Sequence, residues 1–287
     1  MTPAVFDSTP NILGEGPLWH PERQELFWFD ILSHRLFNRT RGGLRHWQFS
    51  EAVSAAGWID RNTLLVASAS SLSCFDIEAG TTNFVVDMEH DNPVTRSNDG
   101  RADPYGGFWI GTMGFQKEEH AGSIYRYYRG EFRRLYGDIT ISNAICFSPD
   151  GGLAYFADTG DGKVMRQRLN PKDGWPTGEP ELYLDLSKAD FGVDGAVMDS
   201  QGRFWNAQWG GSRVACYSPQ GNLVEEIRFP ASQISCPAFG GANLSTLYAT
   251  SARDGLSPEQ LRNDPLAGQT FVVETRTRGQ AEHQVVL

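Results

Sequence analysis

No apolar run in this 287-residue chain approaches the roughly 20 residues that a helical membrane span requires. The opening segment, Met1 to Asn11, has neither a basic region nor an apolar core, so no secretory signal is expected. Cysteine is scarce. The four residues Cys74, Cys146, Cys216 and Cys236 stand far apart with no C-x-x-C spacing. That argues against a disulfide framework or a thiolate zinc site, and for free thiols in a reducing cytoplasm. Basic charge is also short: 25 Lys and Arg against 35 Asp and Glu leave a net charge of −10. Such a surface disfavours nucleic acid and anionic membranes as partners. The six histidines show no H-x-H or i, i+4 pairing, so none is read as a metal ligand. Cys146 and Ser148 have no neighbouring base in sequence, which sets aside nucleophilic catalysis by either. No linker or low-complexity tract divides the chain.

What is abundant is glycine and aromatic residues: 31 Gly, 17 Phe, 9 Tyr and 8 Trp. They are arranged periodically. Ser142 to Asp158 reads as a β-hairpin, two β-rich runs joined by the turn Pro149-Asp150-Gly151-Gly152. One polar residue, Asn143, heads its first run. The same layout recurs with Glu15 ahead of Pro21, Asn98 ahead of Pro104, and Asp194 ahead of Ser200. Each is followed by an aromatic second strand: Leu26 to Phe29, Phe108-Trp109, Tyr155-Phe156 and Phe204-Trp205. Weaker copies start at Ser54 and Cys236. Successive starts are 39, 44, 45, 51 and 42 residues apart. A period of about 40–50 residues, with four strands per unit, predicts an all-β, six-bladed β-propeller. The whole chain, 1–287, is expected to be one domain, with blades near 15–50, 51–90, 91–135, 136–185, 186–230 and 231–287. Residues 1–14 are expected to close the ring against the last blade. One helical turn is expected at Ser257 to Arg262, with Ser257 as its cap.

In a propeller the innermost strands line a central channel, so equivalent positions of different blades form a ring. Glu15, Asn98, Asn143 and Asp194 share one phase of the repeat. For a single Asn or Asp in a Gly-rich β protein, capping a turn is the ordinary role. Four of them at one phase predict a cluster of oxygen donors at one mouth of the channel. Two carboxylates buried side by side are costly without a cation. Hard oxygens suit Ca²⁺, Mg²⁺ or Mn²⁺. The expectation is therefore one divalent metal held by some of Glu15, Asn143 and Asp194, with Asn98 at hand. Arg96 adds a positive fork able to hold a polyol or carboxylate oxygen.

The motifs as a set resemble the gluconolactonase/regucalcin (senescence marker protein) family. They are Leu13 to Trp19, Arg96 to Gly100, Gly111 to Met113, Ser142 to Gly151, Asp194 to Trp205 and Phe239 to Gly241. The resemblance runs in order over nearly the whole chain. It implies a six-bladed propeller with one catalytic divalent ion, Ca, Zn, Mn, Mg or Fe(II), on Glu15, Asn143 and Asp194. It implies hydrolysis of a sugar (aldono-)lactone to the aldonic acid, through a metal-bound water with Asp194 as acid/base. Arg96 and Asn98 are implied as substrate contacts, and so is Glu118, with Glu119 as its rival by register. One departure is Val193, where the family often has proline; it is expected to alter loop stiffness and not ligation. The resemblance also leaves two alternatives open, a related metal-dependent esterase or phosphotriesterase and a non-catalytic calcium-binding regulator.

Overall fold

The protein's structure, a computed structural model, describes residues 2–40 and 42–287. The repeat fixes the architecture. The first sheet is β2 (Gly14–His20), β3 (Glu25–Asp30), β4 (Arg35–Thr40) and β5 (Gly43–Gln48). The second is β6 (Val53–Asp60), β7 (Thr63–Ser68), β8 (Ser71–Asp76) and β9 (Thr81–Asp87). The third is β10 (Thr95–Ala102), β11 (Phe108–Gly114), β12 (Gly122–Tyr128) and β13 (Glu131–Ile139). The fourth is β14 (Ser142–Phe147), β15 (Leu153–Asp158), β16 (Lys163–Arg168) and β17 (Glu181–Asp185). The fifth is β18 (Gly192–Met198), β19 (Phe204–Trp209), β20 (Arg213–Tyr217) and β21 (Leu223–Arg228). The sixth takes β22 (Ile234–Gly240), β23 (Thr246–Ser251) and β24 (Thr270–Glu274) from the end of the chain, and β1 (Ala4–Asp7) from its start. The chain is a single-domain, six-bladed β-propeller. Pairing of β1 with β24 stitches the two ends of the chain together within one blade.

The first strands of the sheets, β2, β6, β10, β14, β18 and β22, pack on one another in a closed ring around the axis. The second strands are apolar on both faces because each blade is sandwiched between two others. Trp109 and Trp205, at matching places in β11 and β19, are fully buried, and so is Trp28 of β3. One cluster joins Phe27 and Phe29 to Leu64, Val66 and Phe75 across the first two blades. Each such side chain contributes about 1.5–3 kcal/mol by leaving water. The single helix among the described residues, α1 (Pro258–Asn263), has Ser257 as its cap: Ser257 Oγ accepts from Gln260 N–H, and the Gln260 side chain accepts from Ser257 N–H. No helix among the described residues is long and apolar enough to cross a membrane.

After β24 the chain leaves the sixth sheet and crosses the far mouth of the channel. It pairs Gly279 with Asp199, Val285 N–H with Trp58 O at 2.8 Å, and Val286 N–H with Gly106 O at 2.8 Å. Glu282 on this strap forms an ion pair with Arg101, both nearly buried. The pair keeps the Arg101 guanidinium charged despite burial. Glu282→Gln leaves that charge buried without its partner, so unfolding free energy is expected to fall by about 3 kcal/mol. Urea unfolding checks it; a loss under about 1 kcal/mol would mean that water replaces the carboxylate.

Candidate active site

Every innermost strand carries an interruption of its ladder at the same depth. The register slips between Glu15 and Leu18, Val53 and Ala55, Ser97 and Gly100, Asn143 and Cys146, Val193 and Ala196, and Ile234 and Pro237. A bulge re-aims the side chains beside it. Glu15 and Asn143 stand immediately before their bulges, and the next residues, Gly16 and Ala144, take φ of 53° and 60°. A Cβ at Gly16 would collide with Ser54 O and the Phe29 ring, so only glycine fits there. Asn98 and Asp194 are instead the first residues inside their bulges. The four polar residues therefore occupy two adjacent strand addresses, one residue apart, rather than one.

The approach of the strands is clamped by a repeated device. Asp30 accepts Ile12 and Leu13 N–H, each at 3.0 Å, just ahead of Glu15. Asp158 accepts Thr140 N–H at 2.8 Å and Ile141 N–H at 2.9 Å, just ahead of Asn143. Asp99 reaches from β10 to accept Ile145 N–H at 2.7 Å, tying the third blade to the fourth. The Asp194 carbonyl accepts from Asn206 Nδ2 at 2.8 Å.

These side chains converge on a cavity of about 100 Å³ lined by Glu15, Arg96, Asn98, Asn143 and Asp194. Leu13, Met113, Ile141 and Trp209 supply its apolar wall, and Thr159, Lys117 and Asp254 complete it. A hydrogen-bonded chain fixes one side. Arg96 Nη1 donates to Asn98 Oδ1 at 2.9 Å, Asn98 Nδ2 to Asn143 Oδ1 at 3.2 Å and to Ser142 O at 2.9 Å. Asn143 Nδ2 then donates to Thr159 Oγ1 at 2.8 Å, which donates to Val193 O at 2.6 Å. Arg96 is buried, yet its Nε has no partner.

The electrostatics are strained. Burial, and then the charges of neighbouring carboxylates, push Glu15 up to about 8 and Asp194 well above the usual carboxylate range. Burial likewise raises Asp99 to about 6. Both carboxyls are held above their ordinary range in one buried site, so near neutral pH the pair keeps a proton between them. Burial lowers Arg96 to about 10, with Glu15 and Asp254 opposing. A divalent cation fits this set: it would replace the shared proton and relieve the repulsion between the carboxylates. The set is carboxylate plus amide; among the described residues no group of three or more His, Cys, Asp or Glu is arranged for a metal.

Glu118 does not line the cavity. Its carboxylate folds against Gly114 and accepts Gln116 N–H at 3.0 Å. Glu119 lines an adjoining cleft with His120 and Lys163, which shares Lys117 with the cavity. Trp19 is packed in the core, stacked on Tyr248 at 5.6 Å. The four cysteines are unpaired.

Fold and pocket together define a six-bladed propeller with an acidic, oxygen-rich cavity on its axis. The chain belongs to the family described as SMP-30/Gluconolactonase/LRE-like region, whose family model matches residues 13–253. It is 36% identical over 279 residues to a 6-deoxy-6-sulfogluconolactonase of Pseudomonas putida, covering 95% of this chain and 94% of that one. It is 36% identical over 290 residues to an L-arabinolactonase of Azospirillum brasilense, covering 96% and 93%. A solved structure of regucalcin, a calcium-binding protein of Agrobacterium tumefaciens, superimposes with a TM-score of 0.96 at 38% identity, covering 99% of this chain and 97% of that one.

Proposed function

We propose that this protein hydrolyses a sugar (aldono-)lactone to the aldonic acid, with one divalent cation held by Glu15, Asn143 and Asp194. The observation that carries the reading is the convergence of two buried, mutually repelling carboxylates and an amide oxygen on one cavity. The lactonase relatives supply the substrate class, and the calcium-binding relative supplies the class of ion. When bound, the cation supplies Lewis acidity toward the lactone carbonyl. Calcium, zinc, manganese, magnesium and ferrous iron are all compatible with these oxygens.

The chain's own residues do the rest. Asp194 Oδ takes a proton from the attacking water and returns it to the ring oxygen as that leaves, the general acid/base role. Arg96, which lines the cavity, donates to the carbonyl oxygen as negative charge develops there. Asn98 holds the Arg96 fork through Oδ1 and accepts a sugar hydroxyl with its second lone pair. Four free thiols support a reducing cytoplasm as the place of action.

The test is a panel of aldonolactones and one phosphotriester, read with a pH indicator, on EDTA-treated protein with each ion added back. Turnover of an aldonolactone that vanishes with EDTA and returns with one ion is expected. Metal-dependent melting without turnover of any lactone would make the protein a binding module instead, and turnover of the phosphotriester alone would make it a different esterase.

A further inference from the structure

Two residues at the cavity do no work in this reading. Lys117 lies in the loop between β11 and β12, and Asp254 lies in the loop between β23 and α1. They come from the third and sixth blades, yet both line the cavity that holds Glu15 and Asp194. Lys117 Nζ and Asp254 Oδ2 are 3.6 Å apart, with side chains 56% and 29% exposed. That is an ion pair, but longer than a direct hydrogen bond. The ammonium therefore keeps its donors, and the carboxylate its acceptors, for a third group.

Both backbones are held. Asp254 N–H donates to Ile12 O at 2.9 Å, and its carbonyl accepts from Gln233 Nε2 at 3.1 Å. Lys117 has φ of 62°, and its N–H donates to Gly114 O at 2.9 Å. The loops thus present one positive and one negative group side by side at the cavity's rim. A hydroxyl both accepts and donates, so a polyol satisfies both groups at once. A carboxylate or sulfonate only accepts; it gains from Lys117 but is set against Asp254. Arg96 does not tip that balance, since it is buried in the same cavity and its charge is already set against those of Glu15 and Asp254.

We infer that Lys117 and Asp254 form a charged clasp at the mouth of the site, selecting lactones with a neutral, hydroxyl-bearing tail and rejecting those with an anionic tail. This rests on the lactonase reading and names the substrate class within it. Both are specificity residues; neither touches the reacting bond.

The experiment compares kcat/KM of the metal-loaded protein on an aldono-1,4-lactone and on the aldaro-1,4-lactone of the same configuration, which adds a terminal carboxylate. The wild-type protein is expected to favour the neutral lactone by about tenfold or more, the size of a like-charge contact near a protein surface. Asp254→Asn is expected to shrink that preference about tenfold, and Asp254→Glu to retain it. Lys117→Met is expected to raise KM for the neutral lactone and to widen the preference. High salt is expected to compress the wild-type preference. If wild type turns over both lactones equally, or if Asp254→Asn leaves the ratio unchanged, the clasp is wrong and the lactonase reading stands. If wild type turns over no lactone with any ion, the lactonase reading fails and the clasp with it.

Discussion

Asp194→Ala is expected to lower kcat/KM by roughly 10⁴-fold, because it removes the acid/base and a metal ligand together. The fold should survive. Asp194 sits in a bulge whose backbone is held by Asn206 Nδ2, donating to the carbonyls of residues 194 and 195 at 2.8 and 3.2 Å. Neither bond uses the Asp194 side chain. In the metal-free protein that side chain is a liability, since its charge adds to those of Glu15 and Asp99 in a buried site. EDTA-treated Asp194→Ala should therefore unfold at the same urea concentration as EDTA-treated wild type, or at a higher one. This is the trade of stability for function that a polar active site imposes. Asp194→Asn separates the two roles. It keeps an oxygen donor but not the base, so it should retain part of the metal affinity while losing turnover as fully as the alanine variant. Near-normal turnover in either variant would remove Asp194 from the chemistry.

The blades were legible because turns and aromatic strands recur at a near-constant spacing, and the site was legible because its polar residues interrupt otherwise apolar strand heads. Glu15, Asn98, Asn143 and Asp194 do meet at one cavity. Their offset was not legible. A bulge adds a residue without changing composition, so nothing in N-D-G or D-G-A says that Asn98 and Asp194 lie inside the bulge while Glu15 and Asn143 lie before it. Lys117 and Asp254 were missed for another reason: they come from loops, which carry no repeat phase. Glu118 is not among the residues lining the cavity, and its carboxylate accepts Gln116 N–H, a local bond that sequence does not announce. The strap at 279–286 has no alternating pattern, and its partners are spread over several blades, so no local signal marks it. The roles assigned to Asp194, Arg96 and Asn98 came from family resemblance. Spacing alone had supplied only a ring of oxygens and a nearby guanidinium.

The metal-free protein is expected to lose stability as pH rises from 5 to 8, and a saturating divalent ion is expected to abolish the loss. Glu15 titrates near 8 in the folded chain, against an ordinary value of 4.5. Between those values the folded state binds more protons than the unfolded state, so stability falls as pH rises. The contribution is fully present below about 4.5 and gone above about 8. Glu15 alone accounts for on the order of 4 kcal/mol across that window. Asp194 and Asp99 are raised in the same direction, although a shared proton means that the shifts of Glu15 and Asp194 do not add. A cation between the carboxylates favours their ionised forms, so the folded-state values drop and the slope disappears. Binding itself adds about 2.7 kcal/mol at a free ion concentration of 100 Kd. Urea midpoints at pH 5.5 and 8.0, with EDTA and with each ion, read both effects in one set of curves. Asp194→Ala with EDTA should show a shallower slope than wild type with EDTA, because the raised carboxyl of Asp194 no longer titrates in the site. A midpoint in EDTA that holds steady or rises from pH 5.5 to 8.0 would mean that the carboxylates are already ionised and stably paired without a metal. The case for a divalent ion on the propeller axis would then be lost.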